Sequence, residues 1–244
     1  MLQGSALVKT FGDTQKIRVL NRVDVHVRPG EFVAVMGPSG SGKSTLLFVL
    51  SGTDRPTEGE VLFEGVPLSS LSDNRLSDVR RTKMGFVFQK PTLLRNLNIL
   101  DNILLPHIAD KTDRSALKEK ARTLMEKTGI GGLEDRDITE VSGGQLQRAG
   151  LCRALLGDPR IVFADEPTGA LNTQASEAIM DLLESVHETG TAVFLVTHDP
   201  KVAARAGRVL AMKDGQIVSE TVFSQEDRAT RQKSILQILR KHNI

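Results

Sequence analysis

Residues 37–45 read Gly37-Pro38-Ser39-Gly40-Ser41-Gly42-Lys43-Ser44-Thr45 and fit the pattern G-x-x-x-x-G-K-[ST]. Before them stands Glu31-Phe32-Val33-Ala34-Val35-Met36, an apolar run short enough for a buried strand. After them Thr45-Leu46-Leu47-Phe48-Val49-Leu50 reads as the first turns of a helix. Strand, glycine-rich loop and helix in that order are the context in which such a loop holds phosphate. The glycines let backbone N–H groups close on an anion with no Cβ in the way, and the helix start adds the positive end of its dipole. Lys43 is then placed to reach β- and γ-phosphates, and the Ser44 hydroxyl to ligate Mg²⁺. The loop points to a nucleoside triphosphate.

The remaining bounds are loose. A chain of 244 residues is long enough for one or two domains with a substantial core. A formal net charge of +2 makes no demand for a nucleic-acid partner. Cys152 is the sole cysteine, which leaves no intrachain disulfide and no multi-cysteine metal site, and suits a reducing compartment. Lying in the helical pattern Leu151-Cys152-Arg153-Ala154-Leu155, it is expected to be a small buried apolar group. The opening Met1-Leu2-Gln3-Gly4-Ser5 does not read as a secretory signal, and no apolar run has the length of a membrane span, so any transmembrane pathway must come from another chain.

Along the chain, Leu7 to Phe63 is strand-rich, with Val23, Val25 and Val27 alternating against Asp24, His26 and Arg28. Met84-Gly85-Phe86-Val87-Phe88 is a further short strand. From about Ile99 to Gly129 the period turns helical, and Ala116, Leu117, Ala121, Leu124 and Met125 share a face. Ile161-Val162-Phe163-Ala164 and Ala192-Val193-Phe194-Leu195-Val196 are uninterrupted apolar runs, as parallel strands covered on both faces require. Ser234 to Lys241 reads as a short amphipathic helix, docked on its own domain or on a partner.

Two more segments carry chemistry. The run Ile161–Ala164 delivers Asp165 and Glu166 to the carboxyl edge of a sheet, where one carboxylate can hold Mg²⁺ and the next can polarise a water. In Val141-Ser142-Gly143-Gly144-Gln145-Leu146-Gln147-Arg148, a Ser and two glycines open a helix predicted from Gln145 through Leu156, a second potential anion site.

The set resembles the nucleotide-binding subunit of ATP-binding cassette transporters, from about Leu2 to Glu220. Six motifs stand in family order: Gly37–Thr45, Gln89 after a strand, Ser142-Gly143-Gly144-Gln145, Asp165-Glu166, Gly169-Ala170-Leu171-Asn172, and His198 after a strand. The resemblance implies an α/β fold over residues 1–222. Its parts are a P-loop NTPase core with a mostly parallel sheet, an N-terminal antiparallel β subdomain and an inserted α-helical subdomain at about residues 90–157. Residues 223–244 would form a C-terminal helical extension. It also implies ATP and Mg²⁺ as cofactors, with Lys43 on the phosphates, Ser44, Gln89 and Asp165 on the metal and Glu166 as general base. His198 and Gln89 would read the γ-phosphate, and Phe11 would stack on adenine where Tyr is commoner. Ser142, Gly143, Gly144 and Gln145 would contact ATP held by a second copy of the chain. Asn172, where many members carry Asp, keeps an acceptor oxygen and loses a charge. No role falls to His26, His107, His187 or His242.

Within the family, Gln89 to Pro106 and Val209 to Ile217 are similar to the macrolide-exporter and lipoprotein-release ATPases. Gly169–Asn172 and the tail from Phe223 lean to the bacitracin-type peptide exporters. The implied partners are an integral-membrane permease at the cytoplasmic face of the membrane and a second copy of the chain, with no nucleic acid. The cassette ATPases of chromosome and repair machinery separate these motifs by a long coiled coil, and only about a hundred residues part Ser44 from Ser142 here. An ATPase gating a cell-envelope hydrolase shares every motif and stands as the alternative. Leu93, Leu94, Leu97, Ile99 and Leu100, between Pro91 and Pro106, are expected to form the permease-docking surface.

Overall fold

The computed structural model describes residues 1–12, 14–108 and 113–244. In chain order the elements are β1 (Leu2–Phe11), β2 (Ile17–Val27), β3 (Phe32–Met36), α1 (Lys43–Leu50), β4 (Glu58–Phe63), β5 (Val66–Pro67), α2 (Asp73–Lys83), β6 (Met84–Phe88), α3 (Ile99–Leu104), α4 (Arg114–Lys127), α5 (Gly143–Leu155), β7 (Ile161–Asp165), α6 (Thr173–Glu188), β8 (Ala192–Val196), α7 (Pro200–Ala203), β9 (Arg208–Lys213), β10 (Gln216–Val222) and α8 (Arg228–Lys241). One sheet has the order β10-β9-β3-β8-β7-β6 and is parallel from β9 to β6, with β10 antiparallel at its edge. The other, β2-β1-β4-β5, is antiparallel.

The patterning of the chain accounts for the layers. β3, β7 and β8 are apolar on both faces because both faces are covered. On one side α1, through Leu46, Leu47 and Leu50, fills the space between Phe163 and Phe194 of the parallel sheet and Leu2, Leu7, Leu20, Val23, Val25 and Val27 of the antiparallel one. The alternation of β2 is what turns its valines inward there. On the other side α5, α6, α7 and α8 cover the parallel sheet with Leu151, Ile179, Leu183, Val202, Ile235 and Leu239. A third cluster joins α3, α4 and α5 through Ile99, Ile103, Ala121, Met125, Ala149 and Cys152. Cys152 is fully buried against the Thr128 hydroxyl at 3.1 Å, and burial pushes its thiol up to about 11, so it is the inert group its setting suggested.

Three expectations need amendment. The helical period over Ile99–Gly129 divides into α3, a 3₁₀ turn at Leu105–His107 and α4, with Ala116 exposed; residues 109–112 of that stretch lie outside the described residues. The C-terminal helix starts at Arg228, six residues before the expected Ser234, because the Asp227 side chain caps it by accepting from Thr230 N at 2.7 Å. Its Ile235 and Leu239 are buried on the chain's own sheet layer, so it docks in cis. Each such burial is worth about 1.5–3 kcal/mol.

The third amendment concerns the apolar crowding after Gln89. Ile99 and Leu100 are buried, and Leu93 packs on the α3–α4–α5 cluster, so these residues build that unit's core rather than a docking face. Leu94 stays 45% exposed. A fully buried Asn102 holds the segment down. It accepts from Leu94 N at 2.6 Å, and its Nδ2 lies 3.0 Å from each of the carbonyls of Leu94, Leu97 and Asn98.

Candidate active site

Strand register assembles the site. Phe88 pairs with Asp165, Asp165 with Val196, and Val196 with Val35, so β6, β7, β8 and β3 end level with one another. The residues that follow those ends are Gln89, Glu166, Thr197 and His198, and Gly37. Backbone bonds lock the exits, from Glu166 N to the Val196 carbonyl at 2.9 Å and from Thr197 N to the Val35 carbonyl at 3.1 Å. This is the carboxyl edge of an open parallel sheet, where such folds take ligands.

The loop from Gly37 to Gly42 is shaped by close approach. A Cβ at Gly37 would stand 2.1 Å from the Met212 carbonyl oxygen of β9, and one at Gly42, where φ is +99°, would stand 2.7 Å from the Val19 carbonyl of β2. Neither position admits another residue without displacing backbone. Gly42 is also the N-cap of α1, and it has no side chain to offer the first-turn amides. Every other α-helix among the described residues is capped by a side chain: Ser72, Asn98, Asp113, Ser142, Asn172, Asp199 and Asp227. The start of α1 alone is left open, with its dipole directed at the loop. Inside the loop Ser41 Oγ is buried and has no hydrogen-bond partner, a polar atom that a bound phosphate oxygen or water would satisfy. Lys43 Nζ donates to the carbonyls of Gly37 and Pro38 at 2.8 and 2.9 Å, and burial lowers its pKa against the opposing pull of Glu166 and Asp165. Open amides, an orphan hydroxyl and a buried ammonium make an anion cradle that fits a triphosphate.

On the facing edge, Ser44 Oγ donates to Asp165 Oδ1 at 2.9 Å. The two oxygens are therefore held together as a hard-donor pair suited to Mg²⁺. Burial raises the Asp165 pKa, the Ser44 hydrogen bond lowers it, Glu166 raises it further, and Lys43 lowers it. A cation beside Asp165 would relieve that strain. Glu166 has φ +48°, a left-handed backbone that a glutamate adopts only when its surroundings impose it. Its Oε1 lies 2.8 Å from Nδ1 of His198. Gln89 is exposed at its strand end and packs over Gly169, where an added Cβ would stand 2.9 Å from Gln89 Nε2.

Two expected site groups belong to other segments, the start of α5 and the end of β1. Ser142 and Gln145 form a reciprocal cap, Gln145 N to Ser142 Oγ at 3.3 Å and Ser142 N to Gln145 Oε1 at 2.8 Å. Ser142 and Gly143 are exposed, and Gly144 lies against Ala175 at the start of α6. Phe11 ends β1 opposite Ile17 and is 45% exposed, which excludes a core role, with Lys9 Nζ 4.9 Å from its ring centroid. Asn172 uses its retained acceptor as the α6 cap, taking Ala175 N at 2.8 Å, a bond that needs no charge. His107 is buried against Gly157 and His187 packs edge-on to Phe32, structural placements both. Sequence reasoning passed over Gln147, which is 2% exposed and bonded to two of the strand exits. Its signal is a polar residue in helical phase with Gly150 and the buried side of α5.

Comparison with known proteins gives the family. The family model for the ABC transporter matches residues 20–169. The lipoprotein-releasing system ATP-binding protein LolD of Syntrophotalea carbinolica is 42% identical over 89% of the chain and 96% of its own length. The bacitracin export ATP-binding protein BceA of Halalkalibacterium halodurans is 39% identical over 97% of the chain and 94% of its own length. The chain spans about a third, 36%, of the macrolide export ATP-binding/permease protein MacB of Aggregatibacter actinomycetemcomitans, at 38% identity. A dimeric structure of the ATP-binding cassette MJ0796, in a post-hydrolysis state bound to ADP and Pi, superposes with a TM-score of 0.86 at 36% identity over 93% of this chain and all of that one. The chain belongs to the ABC transporter family and is an ATPase component of that kind.

Asp165→Asn separates fold from chemistry. A carboxyl whose pKa is raised by folding weakens the fold where it is ionised, above that pKa, and the penalty fades as pH falls through it. The amide oxygen still accepts from Ser44. Without nucleotide, the variant is therefore expected to melt no lower than the parent at about pH 8, with any advantage vanishing toward about pH 4. ATP hydrolysis is expected to fall by about 100-fold or more. A melting temperature clearly below the parent's at alkaline pH would contradict this reading of the site.

Proposed function

We propose that this chain binds Mg²⁺·ATP at the level strand ends and hydrolyses it between two copies arranged head to tail, driving an integral-membrane permease at the cytoplasmic face of the membrane. The observation that carries the dimer is the separation of two phosphate-directed helix starts. The open start of α1 packs at Gly42 against Val19 of β2 and Met212 of β9, whereas the exposed Ser142 turn lies by Gly144 against Ala175 of α6. A γ-phosphate that meets both is bound by one loop and by the other chain's Ser142 turn, and two-fold symmetry then makes two composite sites. The dimeric cassette MJ0796 supports this arrangement.

Within each site the roles divide by chemistry. Lys43 and the loop amides hold the phosphates, and Ser44, Asp165 and Gln89 hold Mg²⁺, which when bound neutralises charge on the transferring phosphoryl group. Glu166 accepts a proton from the attacking water, and His198 fixes the carboxylate and faces the γ-phosphate. Phe11 offers an aromatic face to adenine. The likeness to BceA over nearly the whole of both chains favours export or removal of antimicrobial peptides or similar amphiphiles as the work performed.

The permease is proposed to dock in a groove of about 630 Å³ lined by Arg80, Phe86, Phe88, Pro106 and Arg153, which opens beside the Gln89 segment. Ser77 of α2 is exposed on its rim. Ser77→Trp is expected to leave ATP hydrolysis by the isolated chain within about twofold while abolishing co-purification with the permease. Intact co-purification would place the docking surface elsewhere.

Glu166→Gln tests the hydrolytic reading. The amide keeps the size of the side chain but cannot take a proton, so turnover is expected to drop by about 10²–10⁴-fold while ATP still binds. The variant should then collect as an ATP-bound dimer in size-exclusion chromatography. Near-normal turnover would remove Glu166 from the role of base.

A further inference from the structure

α5 starts at the Ser142 turn, and one of its faces runs along the chain that leaves β6 with Gln89. The contacts are one helical turn apart. Gln147 Nε2 donates to the Phe88 carbonyl at 2.7 Å. Gly150 faces Pro91, whose Cβ would stand in ordinary contact, 3.5 Å, from a methyl added there. Arg153 donates to the Thr92 carbonyl at 2.7 Å and to the Thr92 hydroxyl at 3.0 Å. Positions i, i+3 and i+6 share a helix face, so these three residues form a seam along the segment from Phe88 to Thr92.

Gln147 makes a second bond from the same nitrogen. Nε2 also donates to the Pro167 carbonyl at 2.9 Å. Phe88 is the residue before Gln89, and Pro167 the residue after Glu166. The side chain is 2% exposed, so no solvent competes for its two amide protons. A buried glutamine that only satisfied stray carbonyls could do so anywhere on the helix. This one ties together the two turns that carry the γ-phosphate reader and the base, and ties both to the helix that presents Ser142.

We infer that Gln147 is a positioning residue for hydrolysis: its doubly donating amide fixes the Gln89 and Glu166 turns to α5. The groups reading one nucleotide and the Ser142 turn reading the other then shift as a unit. The inference rests on the roles proposed above for Gln89, Ser142 and Glu166. It extends them by naming the joint through which the two composite sites of a dimer feel each other. Misplacement of a catalytic group by about 1 Å is enough to cost roughly 100-fold in rate. Losing the joint should therefore appear in turnover, while nucleotide affinity, set by the loop and Lys43, is preserved.

The test compares Gln147→Met, which keeps length and apolar stem but donates nothing, with Gln147→Glu, which keeps the shape and turns a carboxylate toward both carbonyls. Gln147→Met is expected to bind trinitrophenyl-ATP within about threefold of the parent, keep KM within the same range, and lose about tenfold or more in kcat. Gln147→Glu is expected to be slower still, an order that a packing role reverses because the glutamate is the closer isostere. If Gln147→Met melts below the assay temperature, the same split is read from Arg153→Gln, which opens the outer end of the seam and is expected to lower kcat severalfold at unchanged KM. Turnover within twofold of the parent in a folded variant, or equal losses in affinity and kcat, overturns the inference. A parent chain that hydrolyses no ATP at all would instead defeat the underlying reading of the site.

Discussion

Four parallel strands ending at one level are the constraint on which this molecule turns. β3, β8, β7 and β6 pair so that Val35, Val196, Asp165 and Phe88 stand in line, and each strand releases one functional segment at that line. Were one strand to slip by a single residue, its inward and outward faces would exchange and its functional segment would leave the edge. The apolar layers on either side prevent the slip. α1 with the antiparallel sheet covers one face, and α5 to α8 cover the other. The core is thus the means by which Gly37, Gln89, Asp165, Glu166 and His198 come to line one edge of the sheet.

The electrostatics follow from that edge. Among the described residues seven α-helices have an N-cap side chain that accepts from a first-turn amide, and α1 has none. Lys43 and Asp165 are each shifted toward neutrality, chiefly by burial, and each by its neighbours in the direction charge dictates. A polyanion with its cation would favour the charged form of both. Glu166, in a backbone conformation that costs energy on its own, is held by a sheet bond to Val196 and by His198.

Much of this was legible from the residues. The phosphate loop, the three buried parallel strands, the alternation of β2 and the order of the motifs are local patterns, and the structure keeps them. The remainder was not, because it depends on partners remote in sequence. Leu93, Ile99 and Leu100 looked like an exposed face until Asn102 and α4–α5 were seen to fold over them. The start of α8 was missed because Asp227 caps a stretch, Arg228 to Lys233, that carries no apolar stripe. Gln147 went unnoticed because its meaning lies in two carbonyls, 59 and 20 residues away.

The central claim is that each hydrolytic site is built from the loop of one chain and the Ser142 turn of another. Mixing two dead variants tests it most directly. Lys43→Ala spoils a chain's own loop, and Ser142→Arg spoils what it offers its partner. A mixed dimer then holds one intact site and one doubly damaged site. Each variant alone should be inactive, and an equimolar mixture should recover up to about a quarter of parental turnover, since about half of randomly formed dimers are mixed. No recovery, in a mixture where differently tagged chains demonstrably pair in the presence of ATP, would contradict the composite site.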